Sequence, residues 1–180
     1  LTDMLGPFVE YVPVCPEVEV GMGVPRPTVR LVRRGDDLRM IDPKNDVDWT
    51  SSMQRLSRSR SSELAAEGLH GFVLKKDSPT CGVFRVRIHT DTGVERNGQG
   101  LFATALIQRM PHLPVEEEGR LNDARLRENF VERIFAYKRL KDVFRPRWTV
   151  GDVVAFHTRE KLLLRAHDEG GYRELGKLVA

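Results

Sequence analysis

Cysteine is scarce in this chain. Cys15 and Cys81 are the only two among 180 residues, too few for the disulfide framework of a small secreted domain. Nowhere do about eighteen apolar residues run together, which leaves no segment to cross a membrane as a helix. The N-terminus also lacks the basic-then-apolar pattern of a secretion signal, so a cytoplasmic protein is expected. Charge of one sign is missing too: 29 Lys and Arg face 26 Asp and Glu, for a net charge of +3 and a pI near 9.0. That balance admits an anionic ligand but falls short of the clustered basic footprint of a dedicated nucleic-acid binder. There is no internal repeat, and only residues 57–62 approach low complexity.

What is present reads as globular. The chain is 40% hydrophobic and 31% charged, enough for a core, and its length allows one domain or one domain plus part of another. Leu1 is not an initiator methionine and residues 175–180 end apolar, so the chain is expected to be a fragment of a larger protein.

Residues 8–14 are β-branched and aromatic enough to read as a strand running into the Cys15-Pro16-Glu17 turn. Glycines and prolines make 16–28 a loop. Residues 28–32 and 37–41 read as a hairpin about Gly35-Asp36. A helix capped by Asp48 or Thr50 covers 51–69. Residues 71–75 form a strand entering the 78–82 loop, and 84–89 form another strand. Residues 91–100 read as a flexible loop, 101–110 as a helix and 113–115 as a last strand. From Asn122 or Asp123 the pattern turns helical, breaks at Pro146, resumes near Val150 and breaks again at Gly170-Gly171. Strands alternating with helices predict an α/β fold, a Rossmann-like three-layer sandwich with a mostly parallel sheet. Its N-terminal part is expected to be absent and the start of an α-helical domain to follow. The expected domains are 1–145 and 149–180.

In such a sheet the carboxyl ends of parallel strands share one edge, where ligands bind. Cys15 ends one predicted strand and Cys81 lies in the loop after another, so the two can meet in space. Spacing alone leaves two readings open. The thiolates could ligate a soft metal or a cluster, or both could be buried small hydrophobes.

The strings VPVCPEVEVGMGVPRP (12–27), GFVLKKDSPTCG (71–82), GLFATAL (100–106) and LPVEEEGRLNDARLRENFVERIFAYKRL (113–140) resemble the thiouracil desulfidase (TudS) family. The resemblance is to its two-domain members, which carry a YbgA-type helical domain; residues 154–180 resemble the opening of that second domain. It implies a 4Fe-4S cluster on three cysteines with one iron left open. Cys15 matches the Val-Cys-Pro-Glu ligand motif and Cys81 the Ser-Pro-Ser/Thr-Cys-Gly motif. The third cysteine ligand is expected upstream of Leu1, so the fragment by itself is expected to be inactive and poorly stable. The implied activity is non-redox desulfuration of a thiolated pyrimidine or related thione, a small-molecule substrate. By their places beside the ligand motifs, Glu17 is the expected base and Ser78 the residue that orients substrate or water. The alternative is a cluster-carrying binding or regulatory module without turnover.

Other residues read more plainly. The carboxylate run at Glu116, Glu117 and Glu118 reads as a solvated edge before it reads as part of a site. Arg26 could bind an anion or form a turn salt bridge. Lys75 and Lys76 could attract a phosphate but read as exposed. His157 and His167 read as structural, and residues 98–100 lack the Lys-Ser/Thr of a phosphate loop. A Cys–His hydrolase using His70 or His89 has no further support in the chain.

Overall fold

In a computed structural model that describes residues 5–179, two sheets and seven α-helices are found among the described residues. β1 (Arg30–Arg34) and β2 (Asp37–Asp42) form the expected hairpin, closed by Gly35 at φ 59° with Arg34 facing Asp37. β3 (Val47–Asp48) adds to β2 antiparallel. β5 (Val86–Thr90) runs parallel to β1, and β6 (Gly93–Gly98) turns back along β5. The five-stranded order is β3-β2-β1-β5-β6. β6 occupies what reads in sequence as a flexible loop; its Gly, Glu and Asn residues have poor strand propensity, and pairing with β5 overrides it.

The second sheet holds β4 (Phe72–Leu74) and β7 (Val115–Glu117), which run parallel. The α/β class stands. Parallel pairing, expected for most of the sheet, is found in β1–β5 and β4–β7, while the hairpin pairs are antiparallel because short turns allow nothing else. Residues 8–14 form no strand; Phe8, Tyr11 and Val12 are exposed, and Val14 packs against the second core cluster.

The N-cap of α2 (Thr50–Ala66) is Trp49, with no side-chain cap bond, and not Asp48 or Thr50 as anticipated; Asp48 accepts from the Thr50 amide just before the helix. Met53, Ser57, Ser61 and Leu64 are its buried residues, falling at helical spacing on one face. Met53 joins Leu31, Met40, Val86 and Ile88 in one core cluster. Leu64 joins Leu74 with Phe102, Ala103 and Leu106 of α3 (Leu101–Arg109) in the other. Cys81 packs at the edge of that second cluster. Burial of those five apolar side chains stabilises the platform of the 78–82 loop by about 1.5–3 kcal/mol for each of the larger ones.

The chain divides into two compact units, Leu1–Glu128 and Asn129–Ala180. The dividing point lies inside α4 (Ala124–Val143), whose first turn is capped by Asp123 through the Arg125 and Leu126 amides. The second unit continues with α5 (Val150–Arg159), α6 (Lys161–His167) and α7 (Glu169–Val179). Thr149 and Asp152 form a reciprocal capping box at the start of α5. The helices break at Glu160 and Asp168 and not at Gly170-Gly171, because the Asp168 carboxylate accepts from the Gly171 amide and starts α7 before the glycines. No described helix is long and apolar enough to cross a membrane.

Candidate functional site

Cys15 is the N-cap of the four-residue helix α1 (Pro16–Glu19), with Pro16 at the first helical position, where its missing N–H costs nothing. The Cys15 amide donates to Glu19 at 3.3 Å, and the Arg60 guanidinium on α2 holds Glu19 at 3.3 Å. Arg26 reaches back across the following loop. Its Nη1 donates to the Cys15 sulfur at 2.8 Å and its Nε pairs with Glu17 at 3.2 Å. Arg26 is thus a salt bridge of the turn and a donor to the cysteine sulfur at once.

Cys81 belongs to a loop folded around one side chain. The Ser78 hydroxyl accepts from the Thr80 and Cys81 amides at 3.1 and 3.0 Å, and Gly82 N–H returns to the Ser78 carbonyl at 2.8 Å. This tight turn sits on the start of α3. The Leu101 amide donates to the Pro79 carbonyl, and the Phe102 and Ala103 amides donate to the Thr80 carbonyl. Loop carbonyls therefore satisfy the amides a helix leaves free at its N-terminus. Gly100 makes this approach possible, since a Cβ there would lie 2.3 Å from the Thr80 oxygen.

The two loops are joined by Glu17. One carboxylate oxygen accepts from the fully buried Thr80 hydroxyl at 2.8 Å, and the other pairs with Arg26. Glu17 and Thr80 are 63 residues apart. The structure thus gathers Cys15, Glu17, Ser78 and Cys81 into one patch and adds Arg26 and Thr80. Burial pushes the Cys81 thiol up to about 12; the Glu17 and Cys15 charges push the same way, while the Ser78 hydroxyl, donating toward the sulfur, and Arg26 oppose them.

Among the described residues no group of three His, Cys, Asp or Glu side chains is arranged to hold a metal ion. The patch offers two soft donors. They suit a metal centre on chemical grounds, because a bound cation reverses the penalty that burial places on a thiolate.

The carboxylate run is not a solvated edge. Glu116 and Glu117 are buried, and only Glu118 is partly open. Glu117 accepts from the Val83 and Phe84 amides at 2.7 and 3.0 Å, just past Cys81. Glu116 pairs with Arg120 at 2.7 Å. Glu118 pairs with Lys75 and accepts from the Lys76 amide, and these bonds hold its carboxyl below the usual range against the burial that raises it. Lys75 is exposed, as expected. His157 stacks on Tyr172 at 4.5 Å and His167 faces Glu132 at 3.4 Å, both structural contacts within the second unit. His89 lies on β5 with its pKa lowered by burial and by Arg30 and Arg87.

Thr80 escaped the sequence reading, and Glu117 was weighed there only within a run that reads first as a solvated edge. Thr80 lies inside the SPTCG string, and a threonine between proline and cysteine carries no mark of burial. Glu117 looks like its neighbours until β7 pairs with β4.

A solved structure of a 4Fe-4S-dependent thiouracil desulfidase, TudS, is similar to this chain at 29% identity and a TM-score of 0.52, covering 71% of this chain and 80% of that one. No curated protein matches. The family model described as 2-thiouracil desulfurase matches residues 1–118. With about two-thirds of its length under that match, the chain belongs to the 2-thiouracil desulfurase family.

Proposed function

We propose that the chain takes part in iron–sulfur-dependent, non-redox desulfuration of a thiolated pyrimidine or related thione, with Cys15 and Cys81 as two thiolate ligands of a 4Fe-4S cluster. The family match and the similarity to a 4Fe-4S-dependent desulfidase support this reading. The observation that carries it is Glu17, which binds both cysteine loops at once. When bound, the cluster supplies a soft Lewis acid for the sulfur of a carbon–sulfur bond.

The chain's own residues supply the rest. In the overall change water oxygen replaces sulfur on carbon, sulfide leaves, and no electrons are gained or lost. Glu17 takes a proton from the attacking water, with Arg26 fixing the direction of its carboxylate. Ser78 accepts two amides and keeps its single proton free to turn from the Cys81 sulfur toward substrate or water. Thiolate and cluster chemistry place the protein in a reducing compartment, the cytoplasm. Residues 149–180 are assigned to the opening of a YbgA-type helical domain behind a desulfidase domain at 1–145.

The test is iron and acid-labile sulfide per chain after anaerobic reconstitution of this chain and of one extended upstream through the third cysteine motif that the resemblance implies, with Cys15→Ala and Cys81→Ala made in the extended chain. Both substitutions should abolish cluster absorbance. Glu17→Gln should keep that absorbance and lose sulfide release from 2-thiouracil. If neither this chain nor the extended one takes up iron, the reading falls. If the protein loads but binds thiouracil without releasing sulfide, it is a binding module. If Glu17→Gln loses the cluster, Glu17 holds the site together and is not the base.

A further inference from the structure

We infer that Glu117 is a positioning residue for Cys81, holding the cysteine loop from the side opposite Glu17; the inference rests on the reading of Cys81 as a ligand. Glu117 is 1% exposed and ends β7, next to Leu74 at the end of β4. From there one carboxylate oxygen accepts both the Val83 and Phe84 amides. Two amide bonds on one ionised acceptor are among the stronger hydrogen bonds a protein makes.

The rest of the segment is accounted for bond by bond. The Gly82 carbonyl accepts from the Gly100 amide at 2.8 Å and the Val83 carbonyl from Gln99 at 3.4 Å. The Phe84 ring lies under the Arg120 guanidinium at 4.5 Å, and Arg120 is tied to Glu116. The Val83 and Phe84 amides have Glu117 as their acceptor. Glu117 also borders a cleft of about 310 Å3 lined by Lys76, Asp77, Arg85, Arg96 and Arg120.

Cys81 is therefore gripped at both ends of its turn. Ser78 fixes the approach and Glu117 the exit. Without Glu117, two part-buried amides lose their acceptor and the exit is free to open. Opening there moves Cys81 and leaves Cys15, which is held by Arg26, Glu19 and α1.

The experiment compares Glu117→Ala and Glu117→Gln with the wild-type protein in the metal-free state. Iodoacetamide modification of Cys81 and Cys15 is followed by mass spectrometry, with the thermal melt recorded alongside. The ratio of Cys81 to Cys15 rates should rise about tenfold in Glu117→Ala, since local opening needs only those bonds to break. It should rise less in Glu117→Gln, whose amide oxygen still accepts. An unchanged ratio, or an equal rise at both cysteines, overturns the inference. If Glu117→Ala does not fold, Glu117→Gln decides: a ratio raised severalfold upholds the inference and an unchanged one overturns it. Iron uptake by the wild type is measured separately, so failure of the cluster reading is not confused with failure of this one.

Discussion

Thr80 contributes one hydroxyl to the site, and that hydroxyl is the bond between the two cysteine loops. Valine has nearly the same shape but cannot donate, so Thr80→Val leaves a Glu17 oxygen without its partner in a buried setting. The expected loss is about 1–3 kcal/mol, read as a lower melting midpoint, together with fewer irons per chain after reconstitution. An unchanged melt and full iron loading would show that the loops do not need this bridge. At this scale the sequence was partly legible. Cys15, Glu17, Ser78 and Cys81 stand in two short strings that the family resemblance singles out. Arg26 was legible as a salt bridge but not as a donor to sulfur, because nothing in the chain says that residues 15 and 26 face each other. Glu117 was hidden, since a run of three acids reads the same whether it lies in water or beneath a loop.

The element that matters most is the join between the 78–82 loop and α3. Gly100 has φ −65° and ψ 146°, which any residue adopts, so its need for glycine is steric. An added Cβ would press on the Thr80 carbonyl and the Cys81 amide at 2.3 and 2.7 Å. These are backbone atoms and cannot swing aside. Gly100→Ala should therefore cost roughly 1–3 kcal/mol by overpacking and should weaken iron retention by shifting Cys81. Equal melts for the variant and the wild type would contradict this. Helices were well read from pattern: α2, α3 and α4 fall within a few residues of their predicted spans. The first hairpin was legible through Gly35. β6 was not, because a strand of glycine and charged residues is made by its neighbour β5, and pairing partners cannot be seen along a single chain.

For the whole molecule, both compact units hold carboxylates below their ordinary range, and acid acts on each through them. In the second unit Asp142, Asp152, Glu160 and Glu169 are all held below the ordinary carboxylate range, chiefly by hydrogen bonds from Lys138, Thr149, Arg139 and Arg165. Glu160 is the buried one, gripped by Arg139 through two bonds at 2.7 and 2.8 Å where α5 gives way to α6. A folded pKa below the unfolded value gives stability that is complete above the ordinary 4.5 of glutamate and is lost as pH falls through the lower folded value. Helix signal should therefore hold above pH 4.5 and drop over the more acid interval below it. Glu160→Gln should melt earlier at neutral pH and lose its helix signal less steeply over that interval. An acid profile identical to that of the wild type would remove Glu160 from the account. By itself the sequence determined the class of fold and most helices, and through its resemblance to a family it pointed to Cys15, Glu17, Ser78 and Cys81, because composition, periodicity and short motifs are local properties. Only the tertiary structure decided that one carboxylate joins two loops 63 residues apart, and that a second, Glu117, is buried behind the cysteine turn. Those facts depend on which strands pair and which loops meet, and such contacts are set by packing between segments that carry no record of each other in sequence.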